Sequence, residues 1–196
     1  MVAVSRPQIE RASYTEEDLE RLSQKGYRYE LLMGELHEMA AAGYQHGLYT
    51  SRLASRVATF IEDHDLGDSF AAETGFTIQK NPDTVIAPDF AFIIKAHLPA
   101  SMPRGFGRII PDIVLETRSP GDTVKEHGLK AIVWQQAGVQ EVWALDPMAR
   151  TLTIYRKGEE IRRLGPDDTL DGCEILPGFS YPLLKLFRET NNHTEE

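Results

Sequence analysis

Between Ile109 and Pro147 the chain runs strand, helix, strand, and no other feature constrains the fold as much. "IIPDIVLET" is a nearly continuous apolar run of β-type composition. "TVKEHGLKAIVWQQAGV" supplies Val124, Leu129, Ile132, Val133 and Ala137 to a helix that stops at Gly138, and "QEVWALDP" returns to a strand. The flanking segments fit the same plan. Residues 15–25 form a helix, with Thr15 as N-cap, Asp18 three residues on and a stop at Gly26. "YRYELLMGELHEM" reads as a hairpin about Met33-Gly34, with Glu30 and Glu35 on either side of the turn. "QHGLYTSRLASRVATFIEDHD" is a longer helix opening at His46, with Leu48, Leu53, Val57, Phe60 and Ile61 at helical spacing and Arg52 and Arg56 one turn apart. From residue 70 the pattern is β: "SFAAETGFTIQK", a Pro-Asp turn, "TVIAPDFAFII" as one strand, then a Pro/Gly-rich loop over 97–108. The C-terminal part reads as a hairpin with a Lys-Gly turn and a closing segment. Together these predict an α/β domain, a mixed β-sheet flanked by helices, with an N-terminal helix and hairpin.

A chain of 196 residues with 41% hydrophobic content builds one substantial core, so we expect a single domain over 14–187 with flexible ends at 1–13 and 188–196. Its apolar runs fall far short of the roughly 18 residues that span a bilayer, and the N-terminus lacks a secretory pattern. The expectation is a soluble, cytoplasmic protein with no membrane partner. One cysteine, Cys173, excludes an internal disulfide or a cysteine metal cluster. A net charge of −9 opposes non-specific attraction to nucleic acid, so any DNA partner must be met by a local basic patch or a bound cation.

Alternation through "IIPDIVLETR" puts Ile110, Asp112, Val114, Glu116 and Arg118 on one face and Pro111, Ile113, Leu115 and Thr117 on the other. Glu116 therefore ends an apolar face, where a carboxylate costs several kcal/mol of desolvation unless a cation or donor meets it. Asp89 interrupts the apolar run one strand earlier, so the two acids are placed to meet at one end of the sheet. Paired carboxylates without cysteine favour a hard divalent cation, Mg²⁺ or Mn²⁺, over zinc. Lys130, on the following helix, is in range of the strand end if the Ser119-Pro120-Gly121 turn folds it back. Arg118 stays protonated and suits phosphate contact or orientation rather than proton transfer.

"APDFAFI", "PDIVLETRSPGD" and "KEHGLKAIVWQQAGVQEVWALDP", with the earlier "YELLMGELHEM" and "YQHGLYTSRLASRVATFI", resemble the Uma-two family of restriction endonucleases within the PD-(D/E)XK nuclease superfamily. The resemblance runs from residue 14 to 187 in an ordered set of motifs. It implies a restriction-endonuclease-like core and a Mg²⁺-dependent endonuclease that hydrolyses DNA through a metal-activated water. Asp89 and Glu116 are then the metal ligands, Lys130 the lysine displaced onto the next helix, and Glu30 and His46 further members of the pocket. It also implies a homodimer, with the loop over 97–108 serving recognition or dimer contact. Trp134 departs from the tyrosine frequent at its position, a change expected to affect packing rather than chemistry.

Each of these residues also has a bland reading. Asp89 is then a turn aspartate, Lys130 a solvated helix residue, Glu30 an exposed hairpin residue and His46 a packed imidazole; Asp112 is a structural partner, Glu73 an exposed strand residue, and Arg52 and Arg56 a solvated helix face. A function of a different class remains open: a nuclease fold retained as a binding or regulatory module with weak or no catalysis, which the acidic charge favours. Hydrolysis of RNA or of a nucleotide would use the same residues.

Overall fold

A computed structural model describes residues 13–189. The flexible ends expected from the sequence lie outside these residues, except for 13, 188 and 189. Helix α1 (Glu16–Gln24) is closed by a reciprocal box in which Thr15 and Asp18 satisfy each other's backbone amides. Strands β1 (Tyr29–Leu32) and β2 (Glu35–Glu38) follow, joined by Met33 and Gly34 at φ 51° and 82°, a turn whose positive φ angles suit the twist of a two-residue hairpin. After α2 (Tyr44–Asp63) come β3 (Gly67–Ala71), β4 (Phe76–Gln79), β5 (Thr84–Ile86), β6 (Phe90–Ile94) and β7 (Ile113–Thr117). Helix α3 (Val124–Ala137) leads to β8 (Glu141–Asp146), β9 (Thr151–Arg156), β10 (Arg162–Leu164), β11 (Thr169–Asp171), β12 (Ser180–Pro182) and the short α4 (Leu183–Leu186).

The central sheet has six strands in the order β10-β9-β8-β7-β6-β3. Its one parallel pair is β7 and β8, which is why a helical crossover, α3, separates them in the chain. On one face, Ile113 and Leu115 pack with Leu53, Val57 and Ile61 of α2 and with the C-terminal segment. On the other, Val114, Val142 and Ala144 pack with Ala131 and Trp134 of α3. A second sheet, β2-β1-β5-β4, adds Phe76 and Ile86 to that layer and carries α1 on Leu31 and Val85. The chain is thus a mixed α/β protein, as the sequence predicts.

Two details differ from the sequence reading. "TVIAPDFAFII" is not one strand: β5 belongs to the small sheet and β6 to the central one, so Asp89 sits at the crossing between sheets. Pro88, lacking an N–H, interrupts the ladder there, and the apolar run on both sides hides the break. Helix α3 forms as predicted but turns a different face inward. Val124 and Leu129 are exposed at 68% and 50%, and Ile132 is exposed as well, while Ala131 and Trp134 are buried.

Candidate active site

The parallel pair ends in a cleft of about 930 Å³. Glu30, His46, Asp89, Glu116 and Lys130 all line it, although they come from five separate segments. The ladder brings the two acids together. Because β6 and β7 are antiparallel, with Phe90 opposite Leu115, the residue preceding β6 falls beside the last residues of β7. Asp89 is pinned there from both sides. Its N–H donates to the Leu115 carbonyl at 3.1 Å, and its Oδ2 accepts the Thr117 N–H at 2.7 Å.

Glu116 is 4% exposed and both of its carboxylate oxygens have partners. Oε1 accepts the Trp134 indole N–H at 2.7 Å, and Oε2 lies 3.1 Å from Lys130 Nζ. Lys130 also donates to Glu30 Oε1 at 3.1 Å, and the same oxygen accepts the Ala87 N–H at 3.0 Å. Lys130 is therefore neither a free surface lysine nor a distant one: it bridges two carboxylates. Burial pushes Glu116 up from 4.5 to about 7. The Lys130 charge opposes that rise, and the negative charges of Asp89 and Glu30 add to it. Burial alone would lower the Lys130 ammonium, but Glu116 and Glu30 outweigh it, and the lysine is held firmly protonated.

His46, buried in the first turn of α2, places Nε2 3.2 Å from Asp89 Oδ2. That hydrogen bond raises the imidazole above its ordinary value against the cost of burial, with the charges of Asp89 and Glu116 helping. Two further residues were not singled out from the sequence. His127 lines the cleft with Nε2 3.0 Å from the Glu116 carbonyl, and burial lowers its proton affinity. Its Nε2 donates to that carbonyl, which in the neutral ring leaves Nδ1 as an acceptor. Thr50 of α2 donates to the Thr117 hydroxyl at 2.7 Å. The spacing His127, Lys130, Ala131, Trp134 is one helix face, and that polar-apolar mixture is the signal an apolar count overlooks.

Other candidates have structural partners. Arg118 is committed to Asp146 Oδ2 at 2.5 Å and to the Asp122 carbonyl, so its guanidinium is not among the cleft-lining groups. Asp112, at the far end of β7, accepts from the Ile94 amide at 2.8 Å, Gln140 at 2.6 Å and His97 at 2.9 Å. Arg52 donates to the carbonyls of Leu186 and Arg188 at the end of α4. Glu73 is exposed at the rim and paired with Arg28.

A mixed sheet whose central strands bring two acids to one cleft, met there by a lysine from the crossover helix, is the architecture of a nuclease-type α/β protein. The Uma2 family model, described as "Putative restriction endonuclease", matches residues 16–186, and the chain belongs to that family. A crystal structure described as "a putative nuclease belonging to DUF820", from Anabaena variabilis ATCC 29413, shares the fold. Its TM-score is 0.75 at 20% identity, covering 88% of this chain and 97% of that one. No curated protein matches the chain.

Proposed function

We propose that this protein is a Mg²⁺-dependent endonuclease that hydrolyses DNA phosphodiester bonds at the Asp89–Glu116–Lys130 cleft. The observation that carries this reading is the convergence of buried Glu116, half-buried Asp89 and Lys130 on one cleft at the end of β7. Among the described residues no group of three or more His, Cys, Asp or Glu side chains forms a ready-made metal cage. The donors fit an ion that needs none: Mg²⁺ keeps several waters and takes one or two carboxylates, whereas Zn²⁺ seeks nitrogen and sulfur. The cleft also carries surplus negative charge, since carboxylates outnumber Lys and Arg side chains along it, and a phosphate is repelled until a cation enters.

Asp89 and Glu116 would hold the ion, with Mn²⁺ an acceptable substitute. When bound, it supplies positive charge against the phosphate and acidifies water. Lys130, kept charged by Glu30 and Glu116, donates to the phosphate or orients the attacking water. Glu30 fixes Lys130 through its own bond from the Ala87 amide. His46 holds the Asp89 carboxylate in one orientation. One such site per chain suits a homodimer when both strands of a duplex are cut, and a cytoplasmic location accords with a DNA substrate. No helix among the described residues is long and apolar enough to cross a membrane.

One observation favours a second reading. Glu116, Lys130 and Glu30 satisfy one another across the site. That arrangement also suits a nuclease fold kept as a binding module. A plasmid-cleavage assay with Mg²⁺ and Mn²⁺ separates the two. The nuclease reading expects cutting that Asp89→Asn, Glu116→Gln and Lys130→Ala each reduce by at least a hundredfold; folded wild type that cuts neither DNA nor RNA supports the module.

A further inference from the structure

Trp134 is a side chain of this site whose work exceeds packing. Its ring is fully buried among Phe76, Ala131, Val142 and Ala144, and it meets Phe76 edge-on at 6.3 Å between centroids. The ring cannot swing without opening that layer. Its indole nitrogen is only a donor, so the bond to Glu116 Oε1 at 2.7 Å requires that oxygen to remain an acceptor. Oε2 has a different neighbour. Lys130 approaches it from the cleft on a flexible stem with 32% side-chain exposure, so Oε2 is the oxygen that an incoming ion reaches.

We propose that Trp134 makes Glu116 a one-oxygen ligand and so tunes the site to a small six-coordinate cation, Mg²⁺ or Mn²⁺, over the larger Ca²⁺. The inference rests on Asp89 and Glu116 being the metal-binding pair. Ca²⁺ takes six to eight oxygens and often grips a carboxylate by both, whereas Mg²⁺ prefers few carboxylates and retained waters. A two-oxygen grip on Glu116 would set a cation on the same oxygen that the indole N–H approaches, and the two positive partners would compete for it in a layer that cannot easily relax. Trp134 is thus a positioning residue that touches neither substrate nor ion and acts by holding Oε1 turned toward the indole, which leaves Oε2 as the favoured ligand. That role would go beyond the effect on packing that the sequence suggests.

The test is calorimetric titration of MgCl₂ and CaCl₂ into the full chain, wild type beside Trp134→Phe, which keeps an aromatic ring and removes the donor. Trp134→Phe should bind Mg²⁺ about tenfold more weakly, the low end of losses from removing a ligand's hydrogen-bond partner. Its Ca²⁺ affinity should hold or rise, shifting the Ca²⁺/Mg²⁺ ratio by about tenfold. Equal weakening of both ions would mark a merely structural residue and overturn the inference, as would no change in either. Should Trp134→Phe fail to fold, the chain's two indole N–H resonances provide the readout, with Trp134 identified as the one that shifts in Glu116→Gln. That proton should stay protected from exchange when Mg²⁺ saturates the wild type; loss of protection refutes the idea. A wild type that binds Mg²⁺ and cuts nothing sinks the nuclease reading alone, whereas one that binds neither ion sinks both.

Discussion

Glu116→Gln should make the protein's stability markedly less dependent on pH. The native carboxyl holds its proton up to about pH 7, while an unfolded glutamate releases it near 4.5. Between those values the native state binds more protons than the unfolded state, so the free energy of unfolding falls as pH rises. The stabilising contribution is full below pH 4.5 and lost by the time pH passes 7. That shift corresponds to about 3 kcal/mol. Glutamine is neutral at every pH and removes this slope. Its amide accepts from Trp134 through oxygen but turns a second donor toward Lys130, a constant penalty that displaces the whole curve without tilting it. Groups that do not face Glu116 are present in both proteins and cancel in the difference, whereas His46 and Lys130, which feel its charge, add a smaller change. Urea denaturation in EDTA at several pH values from 4 to 8 measures the two curves. We expect the difference to move in favour of Glu116→Gln by about 3 kcal/mol across that range; parallel curves would refute the buried, proton-holding carboxylate.

Other perturbations follow from the same structure. Lys130→Met strips Glu30 and Glu116 of their shared cation and should cost about 3 kcal/mol at pH 8. The loss should shrink at pH 5, where Glu116 takes up a proton, and denaturation at the two pH values reads the contrast. Glu141→Gln takes from Arg156 its one fully buried carboxylate, bound at 2.7 Å, and leaves it only the more exposed Glu159 and Asp171, which should destabilise by about 3 kcal/mol. Since Glu141 pairs with Ile113, at the opposite end of β7 from Glu116, calorimetry should find metal affinity unchanged. Thr123→Ala removes the hydroxyl that caps α3 at the Glu126 amide and should lower stability by about 1 kcal/mol in a thermal or urea melt.

The sequence carried much of this in its periodicities. Strict alternation in "DIVLET" sorted Val114 and Glu116 to one face and Leu115 and Thr117 to the other, and the structure packs the first against α3 and the second against α2. Capping at Thr15 and the Met33-Gly34 turn are local signals, legible because the physics lies within four residues. The crossing at Pro88 was not legible, because β5 and β6 are equally apolar and only their partners tell them apart. Nor was the inward face of α3. An apolar count favours Val124, Leu129 and Ile132, yet the helix buries Trp134 and directs Lys130 to the acids, because polar groups that satisfy one another bury more readily than the pattern implies. Glu30 and His46 entered as candidates through the family resemblance alone, and their contacts with Lys130 and Asp89 depend on a fold that joins residues far apart in the chain.

The central claim is that Asp89 and Glu116 together hold a divalent cation. Calorimetric titration of Mg²⁺ and Mn²⁺ at pH 8 into wild type, Asp89→Asn and Glu116→Gln tests it most directly, with circular dichroism to confirm that each is folded. The account predicts saturable binding in the wild type that both substitutions abolish or weaken at least tenfold. Folded wild type that binds neither ion, or variants that bind as the wild type does, would contradict it and leave Glu116 as the buried partner of Lys130.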